Sequence, residues 1–422
     1  MESKDNNLKT LLSNSTVGKI VDKYPFLIDT FVELGFTPMK NPVTRKTVSY
    51  MITLEQAAAF KGMHVDELIR ILIERISENT DEDAVPGRTE ESCENIVNMD
   101  SVPKADIRFL GIVPCPIRNV LIEKFDKFVS DFNYRFDKKL AWTVAGEGTA
   151  GGDVLKDIMA ISNSKRYDRL VDLFTAVGKD IFVHNFYGGR IYKNNIWKKI
   201  GSHADAHPLL EEFKDPNGIL RLVYGTPFIM SCRKSVLGDV ELPKTWVDLT
   251  DEKYKGKIAV PSLNLPIIPD LLGALYYHLG EEKFQKFAEN CSYDMHPAEV
   301  STRRDRDEIP GIFIVPVHFA EISSSSGAVA VYPEDGSILL PAFAAVKSDA
   351  VQETEELLKF LTDKEFLEVF KTCGSMVPNH KDFEIDERLL PFITRPWQDL
   401  FESNPLTYTT RLIEMIRKRS KI

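Results

Sequence analysis

The sequence predicts an α/β protein with a small all-α domain in front of it. At 422 residues the chain is longer than one hydrophobic core usually organises, so two or three domains are expected. From Asp106 onward, short apolar runs rich in β-branched residues alternate with stretches of helical period, the pattern of strands layered with helices. Ahead of that point, residues 10–77 show helical periodicity alone.

In the leading region, Ser15-Thr16 can cap a short helix carrying Val17, Ile20 and Val21, which Pro25 ends. Leu27, Ile28, Phe31, Val32 and Leu34 form the next stripe, stopped at Gly35. Thr53 followed three residues on by Gln56 reads as a capping box for a helix that Gly62 terminates. Leu68, Ile69, Leu72, Ile73 and Ile76 supply the apolar face of a last helix. Residues 78–105 are acidic, carry Gly, Pro and Ser, and lack large apolar side chains, which predicts a linker.

Ile107–Val113 reads as a buried strand that opens onto Pro114-Cys115-Pro116-Ile117-Arg118-Asn119 and a helix. Loops at strand carboxyl ends line the crevice of an open α/β sheet, which makes Cys115 and Arg118 cleft candidates. Arg118 offers a fork for a carboxylate or oxyanion; the plainer readings are a buried filler for Cys115 and a solvated charge for Arg118. Leu140–Ala145 leads to Gly146-Glu147-Gly148-Thr149, where glycine lets backbone approach a ligand and Gly146 and Thr149 face the crevice. The glycines match neither a P-loop nor a dinucleotide fingerprint, so no nucleotide cofactor is expected. Asp180–His184 reads as a further strand, with His184, Asn185 and Tyr187 at its end. His203 and His207 lie four apart but have no third ligand nearby, and no metal site is expected.

Leu220–Met230 is an apolar β run broken at Gly225-Thr226-Pro227. Lys257–Val260 is a short strand opening onto Ser262-Leu263-Asn264 and a helix over Asp270–Leu279, an arrangement suited to small-ligand capture by free backbone N–H groups. Ile312–Val317 is another buried strand whose carboxyl end should bring His318 to the cleft.

Composition narrows the function classes. Hydrophobic residues make up 43% and charged residues 27%, and the net charge of −10 disfavours nucleic acid as a partner. Arg303-Arg304 is interrupted by Asp305 and Asp307 and reads as a solvated loop. No apolar run approaches about 18 residues, so no membrane span is expected. The five cysteines, at 93, 115, 232, 291 and 373, form no C-x-x-C and suggest a reducing compartment. The opening MESKDNNLKTLLSNS lacks a basic n-region and an apolar h-region. A cytoplasmic setting is expected, or a periplasmic or extracellular one if a leader has been trimmed.

The stretch LPKTWVDLTDEKYKGKIAVPS, Leu242–Ser262, carries the most information as a whole string. It resembles the P-x-T/S-W-x-D-L…Y-K-G-K-I-x-x-P run of bacterial solute-binding proteins of the two-lobed type II class, whose members bind iron, polyamines or thiamine. Gly336–Val346 is similar to that family's return crossing, and ELLKFLTDKEFLEVF to its C-terminal helices. The resemblance covers residues 106–400 and implies a type II periplasmic-binding-protein-like fold. Lobe 1 would comprise 106–226 with 342–422, and lobe 2 residues 227–341. Thr226 would sit on the hinge wall, and the ligand would be held between the lobes by hinge closure.

Iron-binding members use adjacent tyrosines at the ligand loops, whereas Tyr276-Tyr277 here falls inside a helix pattern. The loop V-P-C-P-I-R looks like a feature of a cytoplasmic subgroup carrying the same helical domain. Residues 1–77 resemble a small domain of unknown function, read here as a docking or dimerisation module. The implied partners are a small molecule or ion, and an ABC-transporter permease or a signalling protein met through the helical domain. No catalytic set can be placed. Two alternatives use the same scaffold: a soft-metal or metalloid binder through Cys115 and His318, and an enzyme with Cys115 as nucleophile and His184 or His318 as base.

Overall fold

The computed structural model describes residues 16–24, 26–34, 36, 39, 49, 52–61, 63–79, 98–114, 117–184, 188–297, 300, 310–402 and 405–419. The chain divides into two compact units, Met1–Asn95 and Ile96–Ile422.

The first unit is helical among its described residues: α1 (Val17–Lys23), α2 (Leu27–Glu33), α3 (Leu54–Phe60) and α4 (Val65–Asn79). The capping box at the start of α3 is present in both directions. Thr53 N–H donates to Gln56 Oε1 at 2.9 Å, and Gln56 N–H to Thr53 Oγ1 at 3.2 Å. Leu27, Phe31, Leu54, Leu68 and Leu72 are fully buried in one core, so the helical stripes read from the sequence do meet.

The segment read as linker is shorter than expected at both ends. Helix α4 runs to Asn79, and residues 98–102 pack on the second unit. Asn98 caps a single 3₁₀ turn, Met99 is fully buried, and its N–H donates to Asp157 Oδ2 at 2.9 Å. Residues 80–97, with Cys93, lie outside the described residues.

The second unit is built on one mixed sheet of eleven strands, with main order β2-β1-β3-β9-β4-β7-β5-β6 among the described residues. The strands of its first half are β1 (Ile107–Val113), β2 (Leu140–Gly146) and β3 (Leu173–Val177), all parallel. Helices α5 (Arg118–Phe136) and α6 (Glu147–Ser164) connect them in turn. The second half holds β5 (Ile258–Pro261), β6 (Cys291–Met295) and β7 (Ile312–Pro316), again parallel.

Two long antiparallel strands join the halves, β4 (Arg221–Cys232) and β9 (Ser337–Val346). β4 pairs with β9 over Arg221–Phe228 and with β7 over Phe228–Cys232. β9 pairs with β4 over Ile338–Ala344 and with β3 over Ala342–Val346. Gly225-Thr226-Pro227 was expected to break β4 and does not. Pro227 gives up one donor, but Thr226 and Phe228 stay registered on Leu340 and Ile338. Gly225 leaves room for Leu339, whose side chain would lie 2.6 Å from an added Cβ.

A second correction concerns Asp180–His184. It is not a strand but the short helix α7 (Asp180–Val183), capped by His184. A run of consecutive buried apolar residues does not distinguish the two states. Here Gly178, at φ 99°, turns the chain off the sheet, and Phe182 packs against Phe174 at 5.4 Å and Phe343 at 6.2 Å.

The signature Leu242–Ser262 is a brace. Trp246, Leu249 and Tyr254 are fully buried. The Trp246 indole N–H donates to Gly336 O at 2.8 Å, its backbone N–H donates to the Asp335 carboxylate, and Tyr254 Oη donates to Glu241 O at 2.8 Å. His278 Nε2 meets Asp335 at 2.8 Å from the other side. Gly336 has φ 105°, and an added Cβ would collide with Pro391 O. The brace therefore fixes the chain immediately before β9 begins.

Trp246→Ala should cost about 3–5 kcal/mol, the usual range for emptying a buried aromatic site. Urea unfolding of the full chain reads it as a lower midpoint. Trp246→Phe, which keeps most of the packing and loses the indole bond, should lose clearly less. Equal losses for the two variants would show that packing is not the main term.

Candidate functional site

The carboxyl ends of the parallel strands in the two halves, with the crossing pair between them, make the crevice of this sheet. At the end of β1, Pro114 is buried; Cys115 and Pro116 lie outside the described residues. Arg118 opens α5 with an exposed side chain, but its Nε donates to Val144 O at 2.9 Å. It thereby ties the β1–α5 loop to β2. Gly146 ends β2, is buried, and is the N-cap residue of α6. The side chain of Thr149, and Asn185 and Tyr187 altogether, lie outside the described residues.

In the second half, Ser262 is partly buried, with its N–H donating to Met295 O at 2.9 Å. Its carbonyl accepts from Leu265 N at 2.9 Å, which closes the turn that leaves Asn264 exposed. β7 ends at Pro316, one residue earlier than expected. His318 is therefore in the first turn of helix α11 (Val317–Ser323), not on a strand end.

Two buried polar atoms stand on neighbouring elements of the second unit, Thr226 inside β4 and His318 in the helix that follows β7. β4 and β7 are registered up to Phe228 on Pro316. Thr226 Oγ1 and His318 Nε2 are both buried, and neither has a hydrogen-bond partner among the described residues. Burial pushes the His318 imidazole down to about 4, opposed by the Glu321 charge, so the ring is neutral near pH 7. Buried polar groups without partners are rare in folded proteins and ask for a partner from outside the chain.

A second feature was missed by the sequence reading: a buried charged cluster at the junction. Lys179 and Asp180 follow β3, and Asp270 lies in the first turn of α10 (Ile268–Asn290), the helix after β5. Arg395 comes from the segment after β11 (Phe392–Ile393), which pairs with the start of β9. All four side chains are nearly or wholly removed from solvent. Lys179 Nζ donates to Thr394 Oγ1 at 3.0 Å and Arg395 O at 2.5 Å. Asp270 Oδ2 accepts from Asp180 N–H at 3.1 Å, and Arg395 Nη1 stands 3.9 Å from Asp180 Oδ2. The sequence does carry a signal for this cluster, namely single charges inside apolar runs such as IIPDLLGALYY and FITRPW.

The other candidates are structural. His203 and His207 share no helix: His203 stacks on His380 at 6.2 Å, and His207 Nδ1 caps a 3₁₀ turn by accepting from Leu209 N. Among the described residues no group of three or more His, Cys, Asp or Glu could hold a metal ion. Tyr276 packs on Tyr408 at 5.4 Å, while Tyr277 is exposed. Cys232, Cys291 and Cys373 are buried, and burial pushes the Cys232 thiol up to about 12. A void of about 20 Å³ among Phe109, Phe125, Tyr224 and Phe370 is wholly apolar and belongs to the core of the first half. Among the described residues no helix is long and apolar enough to cross a membrane.

Residues 168–400 match the family described as bacterial extracellular solute-binding protein, and residues 13–69 match a domain of unknown function (DUF1858). A curated relative, the probable ABC transporter periplasmic-binding protein y4fP of Sinorhizobium fredii, is 28% identical over 127 residues. That alignment covers 29% of this chain and 34% of the relative, so the match spans about a third of its length. Among solved structures, the periplasmic binding protein P5PA matches with a TM-score of 0.54 at 15% identity, over 74% of this chain and 99% of its own. AfuA from Actinobacillus pleuropneumoniae, with exogenous fructose-6-phosphate bound, gives 0.53 at 14%, over 74% and 98%. Iron-bound HitA from Pseudomonas aeruginosa gives 0.51 at 12%, over 74% and 99%. At these identities the structures establish the fold, and these relatives are binding proteins. With a sheet divided by two crossing strands and a family match over more than half of its length, the chain belongs to the bacterial extracellular solute-binding proteins of the type II fold.

Proposed function

We propose that this chain captures a small polar solute between two lobes, residues 106–226 with 342–422 and residues 227–341, by closure about β4 and β9. The observation that carries the reading is two buried polar atoms without hydrogen-bond partners among the described residues, Thr226 Oγ1 in the crossing strand β4 and His318 Nε2 in the helix that follows its neighbour β7. A hydroxyl and a neutral imidazole suit a solute that presents hydroxyl or carbonyl groups. Gly146, Ser262 and Asn264 border the same crevice in this reading. Cys115, Thr149, Asn185 and Tyr187 complete the set, and Arg118 adds positive charge at its rim. The reaction step is binding alone, with release to an ABC-transporter permease or to a signalling partner engaged through the helical unit. Fractionation of the tagged full-length chain distinguishes these partners, because a permease of this class takes its solute outside the cytoplasm.

Thermal-shift screening of the full chain against sugars, sugar phosphates, amino acids, polyamines, vitamins, metals and oxyanions tests the proposal. A solute at about 100 times its Kd should stabilise the protein by about 2.7 kcal/mol. Thr226→Val and His318→Leu should each weaken that solute about tenfold or more. No shift from any solute, or a shift that both variants leave intact, would remove this site.

His318 also predicts a pH dependence. Its folded value lies near 4 against an ordinary 6.5, so the unfolded chain binds the proton more readily between them. Stability should therefore fall as pH drops from about 6.5 to 4. His318→Gln should lose less stability over that interval than the unsubstituted chain, as read from urea midpoints at pH 7 and pH 4.5. Identical losses would mean that the imidazole is not buried neutral.

A further inference from the structure

The cluster of Lys179, Asp180, Asp270 and Arg395 joins the two halves of the sheet apart from the crossing strands. Gly178, Lys179 and Asp180 follow β3 in the first half, whereas Asp270 belongs to the helix after β5 in the second. The contact is tight: a Cβ on Gly178 would lie 2.5 Å from Asp270 Oδ2. Arg395 is held by Asp399 at 2.5 Å, and its guanidinium lies over the Tyr408 ring at 4.1 Å; Lys179 Nζ lies 5.1 Å from the Trp397 ring. The Asp180 carboxylate is wholly buried, accepts no hydrogen bond among the described residues, and has Arg395 at 3.9 Å and the Lys179 charge nearby as its opposing cations.

We propose that this cluster is a proton-controlled latch, in which protonation of Asp270 holds the two halves together and its ionisation loosens them. The proposal rests on the two-lobed capture reading and adds its regulation: solute is retained on the acid side and released on the alkaline side.

The charges at the junction support this. Asp180, Asp270 and the partly exposed Asp399 face Lys179 and Arg395, an excess of one negative charge around a largely buried site; Glu212 stands near Lys179, and Tyr408, raised by burial, stays neutral. A single proton balances the set. Burial, reinforced by the neighbouring Asp180, pushes Asp270 up to about 7, and burial pushes Asp180 up to about 6. Separation of the halves would return Asp270 to water and an ordinary value near 3.8. Between these values the apposed form holds a proton that the separated form has lost. Apposition then weakens by up to about tenfold per pH unit as pH rises through that window. Burial lowers Lys179 to about 8, so the opposite trend begins only above that pH, and the latch is weakest near pH 7–8.

Small-angle X-ray scattering of the full chain at pH 5.5 and 7.5, without added solute, tests the latch. The ratio of apposed to separated molecules should fall by up to about 30-fold over the 1.5 units below pH 7, seen as a larger radius of gyration. Asp270→Asn keeps the acceptor for Asp180 N–H without the charge, and should stay compact at both pH values. An unchanged radius in the unsubstituted chain, or the same increase in Asp270→Asn, would overturn the proposal. Should that variant not fold, ¹³C titration of the Asp270 carboxyl in the unsubstituted chain decides: a midpoint above 6 supports the latch, and one below 5 overturns it. Because no solute is present, a flat pH response with a solute found by thermal shift sinks the latch alone. A pH response with no solute sinks the capture reading and leaves the latch standing.

Discussion

The pairing of β4 with β9 is the constraint on which the second unit depends. Each strand belongs to both halves of the sheet, so the two parallel sets β2-β1-β3 and β7-β5-β6 are held by antiparallel backbone bonds along a single line. Two strands tolerate bending and twisting far better than a wide sheet does. The packing at this line is close: Leu339 lies over Gly225, where no side chain fits, and Pro227 omits one ladder bond beside it. A short run of weakened ladder between two rigid halves is the mechanical requirement for hinge closure.

Around this line the molecule separates mechanical from chemical residues. The most recognisable stretch of sequence, from Leu242 to Ser262, does not touch the crevice through its aromatic side chains. Trp246 and Tyr254 spend their polar atoms on backbone carbonyls and anchor the start of β9 through Asp335 and Gly336. Arg118 similarly uses its Nε on the Val144 carbonyl. Among the buried atoms left without partners are two less conspicuous ones, on a threonine inside a strand and a histidine in the first turn of a helix. In a well-packed protein most polar atoms are already satisfied, so an unsatisfied one carries more information than a charged one.

The junction also concentrates electrostatic cost. Removing Lys179, Asp180, Asp270 and Arg395 from water is unfavourable for each ion, and their mutual attraction offsets only part of it. Such clusters contribute little net stability, yet they respond strongly to one proton because the surrounding medium screens poorly. In the proposed latch, such a contact would couple separation of the two halves to protonation.

Local signals in the sequence determined much of the architecture. The capping box at Thr53 and Gln56, the helical stripes of the first unit and the strand–helix alternation after Asp106 all depend on neighbours a few residues apart. The family resemblance, carried by a contiguous string, was legible for the same reason. Local pattern could not decide whether the apolar run at Asp180–Val183 was strand or helix, because burial on all sides erases periodicity. Nor could it show that Met99 packs rather than floats, that Thr226 and His318 are buried, or that Asp180 meets Asp270. Those facts depend on strand register and on contacts between residues about 90 positions apart, Asp180 and Asp270 among them, which only the folded chain brings together.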